Sequence, residues 1–195
     1  MKRRLLLSAL IALTAAVAAN LPRQAAELTY TAPDGKTISL SQYKGKVVAV
    51  CFILTGCSHC QKTTGFLVKA QKDLGPRGFQ VLSAAINQDA TAQIPAFIKN
   101  FNTNYPLGAY DAMKAIEWMQ HPAMLIPHMP LLAFVDKQGK VRAQYEGDNE
   151  QFFGDTQEQN IRTQIETLLK EGSAAAPAKK APSPASSAPK KGTSN

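Results

Sequence analysis

The sequence predicts an α/β domain in which a central β-sheet is flanked by helices. Apolar stretches of strand-like and helix-like periodicity alternate along the chain, and this alternation is typical of layered α/β proteins. Residues 47–54 form a continuous, β-branched apolar run, as expected for a strand that is buried on both faces. The next segment, 58–74, has apolar residues at helical spacing and ends at Gly75 and Pro76, which predicts a helix.

Three further elements are predicted in the first half of the chain. Residues 32–35 read Ala-Pro-Asp-Gly, a turn composition, and together with 36–40 they predict a short N-terminal hairpin. Residues 79–86 predict a second interior strand. An amphipathic helix is expected over 90–102, with Pro95 in its first turns, because proline deeper in a helix removes a backbone hydrogen bond.

The second half combines an irregular insertion with a hairpin and a last helix. Within 105–127, a helical pattern covers 112–120. Residues 131–145 predict two strands joined by an Asp-Lys-Gln-Gly turn, in which glycine supplies the positive φ. The last helix is expected to begin at Asp155 or Thr156, and a regular apolar stripe follows.

The N-terminus has the layout of a secretory signal peptide. Lys2, Arg3 and Arg4 precede an apolar run that closes in small residues before Asn20. The run is shorter than the roughly 20 residues that a membrane-spanning helix needs. We therefore predict that residues 1–19 are a signal peptide and that the protein is exported, in a bacterium to the periplasm. The alternative is an uncleaved N-terminal membrane anchor.

The C-terminus differs from the middle of the chain in composition. Residues 172–195 contain only Gly, Ser, Ala, Pro, Lys, Thr and Asn, which cannot offset the entropy of ordering. We predict a disordered tail there, whose lysines could make a weak contact with an anionic membrane surface. The folded domain is therefore expected over 20–171.

The net charge of +8 does not indicate a nucleic-acid partner. The signal region holds 3 basic residues and the tail 4, which leaves 15 basic against 14 acidic residues over 20–171. A nucleic-acid-binding domain concentrates positive charge on the fold itself. The nearly neutral domain therefore argues against that class.

The cysteines carry the chemistry that the sequence predicts. Cys51, Cys57 and Cys60 lie within ten residues, so they cannot link distant parts of a fold. Cys57 and Cys60 form a C-x-x-C pair at the junction of the buried strand and the helix, where the helix start favours a thiolate on Cys57. His59, when protonated, would add a second favourable charge and tune that thiolate. In thiol-disulfide exchange, Cys57 would attack and Cys60 would resolve the mixed disulfide.

These residues resemble the thioredoxin superfamily, in particular its exported TlpA-like thiol-disulfide oxidoreductase (redoxin) branch. The resemblance spans roughly residues 30–170 and is carried by 32–50, by the cysteine pair and by 129–140, which reads Met-Pro-Leu-Leu-Ala-Phe-Val-Asp-Lys-Gln-Gly-Lys. It implies a thioredoxin-like fold with a central mixed sheet, an N-terminal hairpin extension and a helical insertion. It also implies that Pro130 is cis and packs against the cysteines, and that the backbone of Met129 pairs with bound substrate.

The sequence departs from this branch at three positions. Gly56 replaces the common aromatic residue before the first cysteine, which leaves the Cys57 thiol more open to a docking substrate. Cys51 stands where relatives often have a buried Asp or Asn, so the usual proton acceptor for Cys60 is missing. His59 in the dipeptide is shared with strongly oxidising relatives, so the direction of electron flow stays open.

The sequence thus predicts an exported thiol-disulfide oxidoreductase that acts on protein thiols and on a redox partner protein, with no cofactor and no metal. One alternative is a peroxiredoxin-like thiol peroxidase, although Leu54 stands where that class has a threonine and Thr55 is one position off. The other is a copper-delivering thioredoxin-like chaperone, which would combine the cysteine pair with His121 or His128.

Overall fold

The computed structural model describes residues 20–122 and 124–174 of the chain. The predicted signal peptide (1–19) and the predicted tail beyond Ala174 lie outside the described residues. The strands are β1 (Arg23–Gln24), β2 (Thr29–Thr31), β3 (Thr37–Ser39), β4 (Val47–Ile53), β5 (Phe79–Ala85), β6 (Leu107–Ala109), β7 (Leu131–Val135) and β8 (Lys140–Glu146). The α-helices are α1 (Ser58–Leu74), α2 (Ala90–Phe101), α3 (Ala112–Trp118), α4 (Glu150–Phe153) and α5 (Gln157–Ala174).

The strands form one mixed sheet in the order β1-β8-β7-β4-β5-β6-β2-β3. β4 pairs in parallel with β5 and antiparallel with β7. The predicted α/β class with a mixed sheet is confirmed. The N-terminal hairpin is present as β2 and β3, and it joins the sheet through β6 at the edge farthest from β8.

Both faces of β4 are buried because its side chains alternate between two apolar clusters. Val47, Cys51 and Ile53 face the cluster that also contains residues of α1, α2 and α5. Val50 and Phe52 face a second cluster, which includes Ala115 and Trp118 of α3, and this is one of the places where the insertion covers the sheet. Each fully buried large apolar side chain stabilises the fold by about 1.5–3 kcal/mol. All seven residues of β4 are buried, so this strand forms the centre of the hydrophobic core.

Most helix boundaries agree with the sequence, and α3 and α5 are the exceptions. α1 covers the predicted residues, and α2 keeps Pro95 inside the helix. α3 ends at Trp118 instead of 120, where Gln120 has a positive φ of 53°. α5 continues to Ala174, three residues beyond the predicted boundary of the domain.

The structure also contains short elements that the sequence did not predict. β1 pairs with β8 at one edge of the sheet, and the one-turn helix α4 packs Phe152 and Phe153 into the core. Among the described helices, none combines the length and the apolar character needed to span a bilayer.

Candidate active site

Cys57 lies between the end of β4 and the start of α1. It is the N-cap residue of α1, and its Sγ accepts a hydrogen bond from the backbone N–H of Cys60 at 3.3 Å. A side-chain acceptor at this position satisfies one of the unpaired N–H groups of the helix start. The sulfur of Cys57 is thus held against the positive end of α1.

Cys60 is fully buried in the first turn of α1. Burial raises the pKa of its thiol well above the ordinary value, and the hydrogen bond with Cys57 raises it further. Cys60 is therefore a protonated, inaccessible thiol directly behind Cys57. This arrangement suits a resolving cysteine, which reacts only after its partner has formed a bond to substrate.

Cys51 lies in the middle of β4 and is fully buried in the same core cluster as Cys60. Burial raises the pKa of the Cys51 thiol to about 12, and the negative charge of Cys57 contributes in the same direction. A thiol of this kind is unreactive near neutral pH. Cys51 fits the role of a small core residue.

Met129, which precedes Pro130, lies beside Cys57 in space. The peptide bond between Met129 and Pro130 is cis, as the resemblance implied. The Sγ of Cys57 is 4.0 Å from the carbonyl oxygen of Met129. A Cβ atom at Gly147 would lie 2.1 Å from that same oxygen, so only glycine permits this approach. We call Gly56, Met129 and Pro130, the three residues that the sequence predicts to dock substrate, the docking corner.

Gly56 and His59 flank the cysteine pair at the surface. Both residues are exposed, and a Cβ added at Gly56 would meet no atom within 4 Å. The space that an aromatic side chain would occupy at position 56 is therefore open. The backbone carbonyl of His59 accepts a 2.8 Å hydrogen bond from the hydroxyl of Thr63.

Two groups of polar residues that sequence reasoning missed support the cysteine loop. The side-chain oxygen of Asn87 accepts from the backbone N–H of Thr55 at 3.1 Å, and Gln61 donates to the Thr55 carbonyl at 2.9 Å. The Thr55 hydroxyl donates to Gln93, whose amide donates to Asp89. The sequence contains a signal for the first group. Residues 87–93 follow β5, which pairs in parallel with β4, so they lie at the same edge of the sheet as the loop that follows β4.

The second group connects α5 to the first turns of α1. Gln157 is almost fully buried and donates a 2.6 Å hydrogen bond to the hydroxyl of Thr63. Because Thr63 in turn donates to the carbonyl of His59, this chain ties the helix that carries Cys60 to α5.

The structure does not place either predicted copper-ligand histidine in a cluster with the cysteines. His121 Nδ1 lies 2.7 Å from Glu146 Oε1, and His128 Nδ1 lies 3.4 Å from Asp148 Oδ2. Within the described ranges, the cluster of three or more possible metal ligands is formed by His128, Glu146 and Asp148, without a cysteine.

Comparison with known proteins agrees with this geometry. The chain is 34% identical to the SCO1 protein homologue of Bacillus subtilis over 80 residues, which cover 40% of this chain and 42% of that protein. It is 25% identical to the thiol-disulfide oxidoreductase ResA of Bacillus thuringiensis over 127 residues, or 65% of this chain and 69% of ResA. The match thus spans only about two-fifths of the SCO1 homologue's length.

A solved structure shows the same fold. The thiol:disulfide interchange protein of the thioredoxin family from Chlorobium tepidum superposes with a TM-score of 0.64 at 22% identity, over 78% of this chain and 99% of that protein. This likeness confirms the thioredoxin-like fold. The family model described as Redoxin matches residues 16–165. Because the model matches well over half of the sequence, the chain belongs to the Redoxin family.

Proposed function

We propose that the protein is an exported thiol-disulfide oxidoreductase that exchanges a dithiol for a disulfide with protein substrates. The observation that carries this proposal is the pair of sulfurs at the start of α1. Cys57 is partly exposed and accepts the N–H of Cys60, whereas the Cys60 thiol is fully buried. The exchange requires one thiol that can attack the substrate and one protected thiol that resolves the mixed disulfide.

The reaction balances on these two residues. The Cys57 thiolate attacks one sulfur of a substrate disulfide, which forms a mixed disulfide and releases the other substrate sulfur as a thiolate that takes up a proton. Cys60 then loses its proton and attacks Cys57 Sγ, which forms the Cys57–Cys60 disulfide and releases the second substrate thiol. Two electrons pass from the protein to the substrate. The oxidised protein runs the same steps in reverse, and the relative reduction potentials decide the direction.

The docking corner would hold the substrate during this exchange. Met129 is half-buried next to Cys57, and Gly56, which precedes Cys57 in the chain, is exposed and has open space where a side chain would be. A polypeptide that hydrogen-bonds to the Met129 backbone would bring its disulfide within reach of Cys57. We propose protein substrates and a protein redox partner on this basis, and His59 as the residue that tunes the thiolate.

Insulin reduction by the purified protein, with dithiothreitol as electron donor, tests the proposal. We expect turnover in the parent protein, and loss of turnover in Cys57→Ser and in Cys60→Ser. Cys51→Ala is the matched control, because it removes a buried thiol that the exchange does not use, and it should retain turnover. Equal loss in all three variants would contradict the assigned roles.

The same variants separate the alternatives. Peroxide consumption that survives Cys60→Ser would favour the thiol peroxidase, in which one cysteine attacks the peroxide. Tight Cu(I) binding that requires both cysteines, together with absence of insulin turnover, would favour the copper chaperone. The midpoint potential of the Cys57–Cys60 couple, measured against glutathione, then shows whether the protein oxidises or reduces its substrates. A value of about −120 mV is typical of an oxidant, and a value of about −270 mV is typical of a reductant.

A further inference from the structure

A cluster of ionisable side chains lies where the segment before Pro130 meets the end of β8. His128, Glu146 and Asp148 each offer one ligand atom, and these atoms all lie within 4.8 Å of one another. His128 and Asp148 are exposed, and Glu146 is half-buried. The proposed exchange reaction uses none of these side chains.

The spacing of His128 and Asp148 is compatible with two ligands of one metal ion. His128 Nδ1 lies 3.4 Å from Asp148 Oδ2, which is longer than the about 2.7–3.2 Å of an ordinary N–H···O bond. Two ligands that each lie about 2.0–2.2 Å from a tetrahedral ion are roughly 3.4 Å apart. The imidazole and the carboxylate are therefore already separated as two ligands of one ion would be.

Glu146 is held in place by a residue that would not itself touch the ion. Its Oε1 lies 2.7 Å from Nδ1 of His121, whose side chain is only 5% exposed. Nε2 of the same ring lies 3.1 Å from the carbonyl oxygen of Leu125. These two contacts orient the ring, and the contact with His121 involves one of the two carboxylate oxygens of Glu146. Ligating carboxylates in metal sites are commonly hydrogen-bonded by such an outer partner.

The backbone holds the two ligand-bearing segments together. The N–H of Gly147, between Glu146 and Asp148, donates a 2.8 Å hydrogen bond to the carbonyl oxygen of His128. The close approach of Gly147 to Met129 packs the same segments against each other. The three ligands are thus brought together by the fold, which lowers the ordering cost of binding.

We propose that His128, Glu146 and Asp148 form a binding site for one divalent transition-metal ion. Zinc suits one imidazole nitrogen and two carboxylate oxygens, with water as a remaining ligand, and the two negative charges balance the ion. The site is separate from the cysteine pair and does not depend on the proposed exchange activity. Because His128 precedes Met129, a bound ion would also hold the docking corner in place.

Calorimetric titration with zinc chloride tests the site. The titration uses the purified protein carrying Cys57→Ser and Cys60→Ser, because a reduced cysteine pair can itself bind zinc. We expect one zinc ion per chain. Asp148→Asn and His128→Ala should each weaken zinc binding at least about tenfold, and His121→Ala, which removes the outer partner, about 10–100-fold. Glu150→Gln is the control, because it removes one exposed carboxylate two residues away, and zinc affinity should not change.

Thermal unfolding in the presence of EDTA shows whether each variant is folded. Asp148→Asn is expected to fold, because it preserves the shape of an exposed side chain. Zinc affinity that is unchanged in folded Asp148→Asn and His128→Ala would overturn the proposal. A dissociation constant weaker than about 1 mM would also overturn it, since that is adventitious binding. If Glu150→Gln weakened zinc binding as much as Asp148→Asn, the loss of one negative charge would explain both effects. That result would also overturn the proposal.

Discussion

The Sγ atom of Cys57 lies 4.0 Å from the carbonyl oxygen of Met129, although 72 residues separate the two in the chain. β4 and β7 are antiparallel neighbours, with Phe52 opposite Leu131. The end of one strand and the start of the other therefore lie at the same edge of the sheet. This pairing brings the proposed nucleophile to the residue proposed to bind the substrate backbone.

The three cysteines should differ strongly in reactivity when the protein is folded and reduced. At pH 8 a thiol of pKa about 12, such as Cys51, is ionised in about one molecule in ten thousand, and Cys60 is both buried and of raised pKa. We expect iodoacetamide to label Cys57 at least about tenfold faster than Cys51 or Cys60. Mass spectrometry of peptides from briefly labelled protein measures this difference. In urea, all three should react alike, and fast native labelling of Cys51 would contradict the assignment.

Stability should fall at alkaline pH because of Cys51. Its pKa is raised from 9.0 in a free thiol to about 12 in the fold, so its contribution to stability is complete below pH 9 and is lost as pH rises toward 12. At pH 10 the loss is about 1.4 kcal/mol relative to pH 7. Urea unfolding of the reduced protein at both pH values measures it.

Cys51→Ala is the reference for that measurement, since it lacks the ionisable group. Its stability should decrease between pH 7 and pH 10 by about 1.4 kcal/mol less than that of the parent. Equal pH dependence in the two proteins would show that the Cys51 thiol is not buried as described.

Gly147→Ala should damage the docking corner. The added Cβ would lie 2.1 Å from the Met129 carbonyl oxygen, so Met129 must move away from Cys57 or Gly147 must shift. We expect a loss of about 1–3 kcal/mol in the free energy of unfolding and a higher KM in insulin reduction. Gly65→Ala, in α1 with no atom within 4 Å of its new Cβ, should instead stabilise the protein by about 0.5–1 kcal/mol. Similar effects of both substitutions would rule out a local clash.

Asn87→Ala should loosen the loop that precedes Cys57. It removes the oxygen that accepts the Thr55 N–H, and leaving a buried N–H unpaired costs about 1–3 kcal/mol. We expect a lower kcat for insulin reduction and a shifted midpoint potential, because the loop positions the sulfur of Cys57. Gln88→Ala alters an exposed neighbour and should change neither quantity. If the midpoint potential of Asn87→Ala equalled that of the parent, Asn87 would have only a structural role.

Several features of the domain follow from the sequence because their signals are local. The uninterrupted apolar run of β4 requires burial on both faces, and the helical spacing after Ser58 requires an amphipathic helix. Together they place Cys57 and Cys60 at the junction of a strand and a helix start. The resemblance of 129–140 to known relatives added Met129 and Pro130 as candidate partners.

The tertiary structure decided what lies around that junction. Three polar contacts depend on the strand order and on how the chain crosses between strands. They are the support of the Thr55 loop by Asn87 and Gln93, the support of α1 by Gln157, and the pairing of His121 with Glu146. The glycine required at position 147 follows from contact with Met129, which no local pattern encodes. Periodicity determines which face of an element is buried, whereas the pairing of distant polar groups depends on how the whole chain packs.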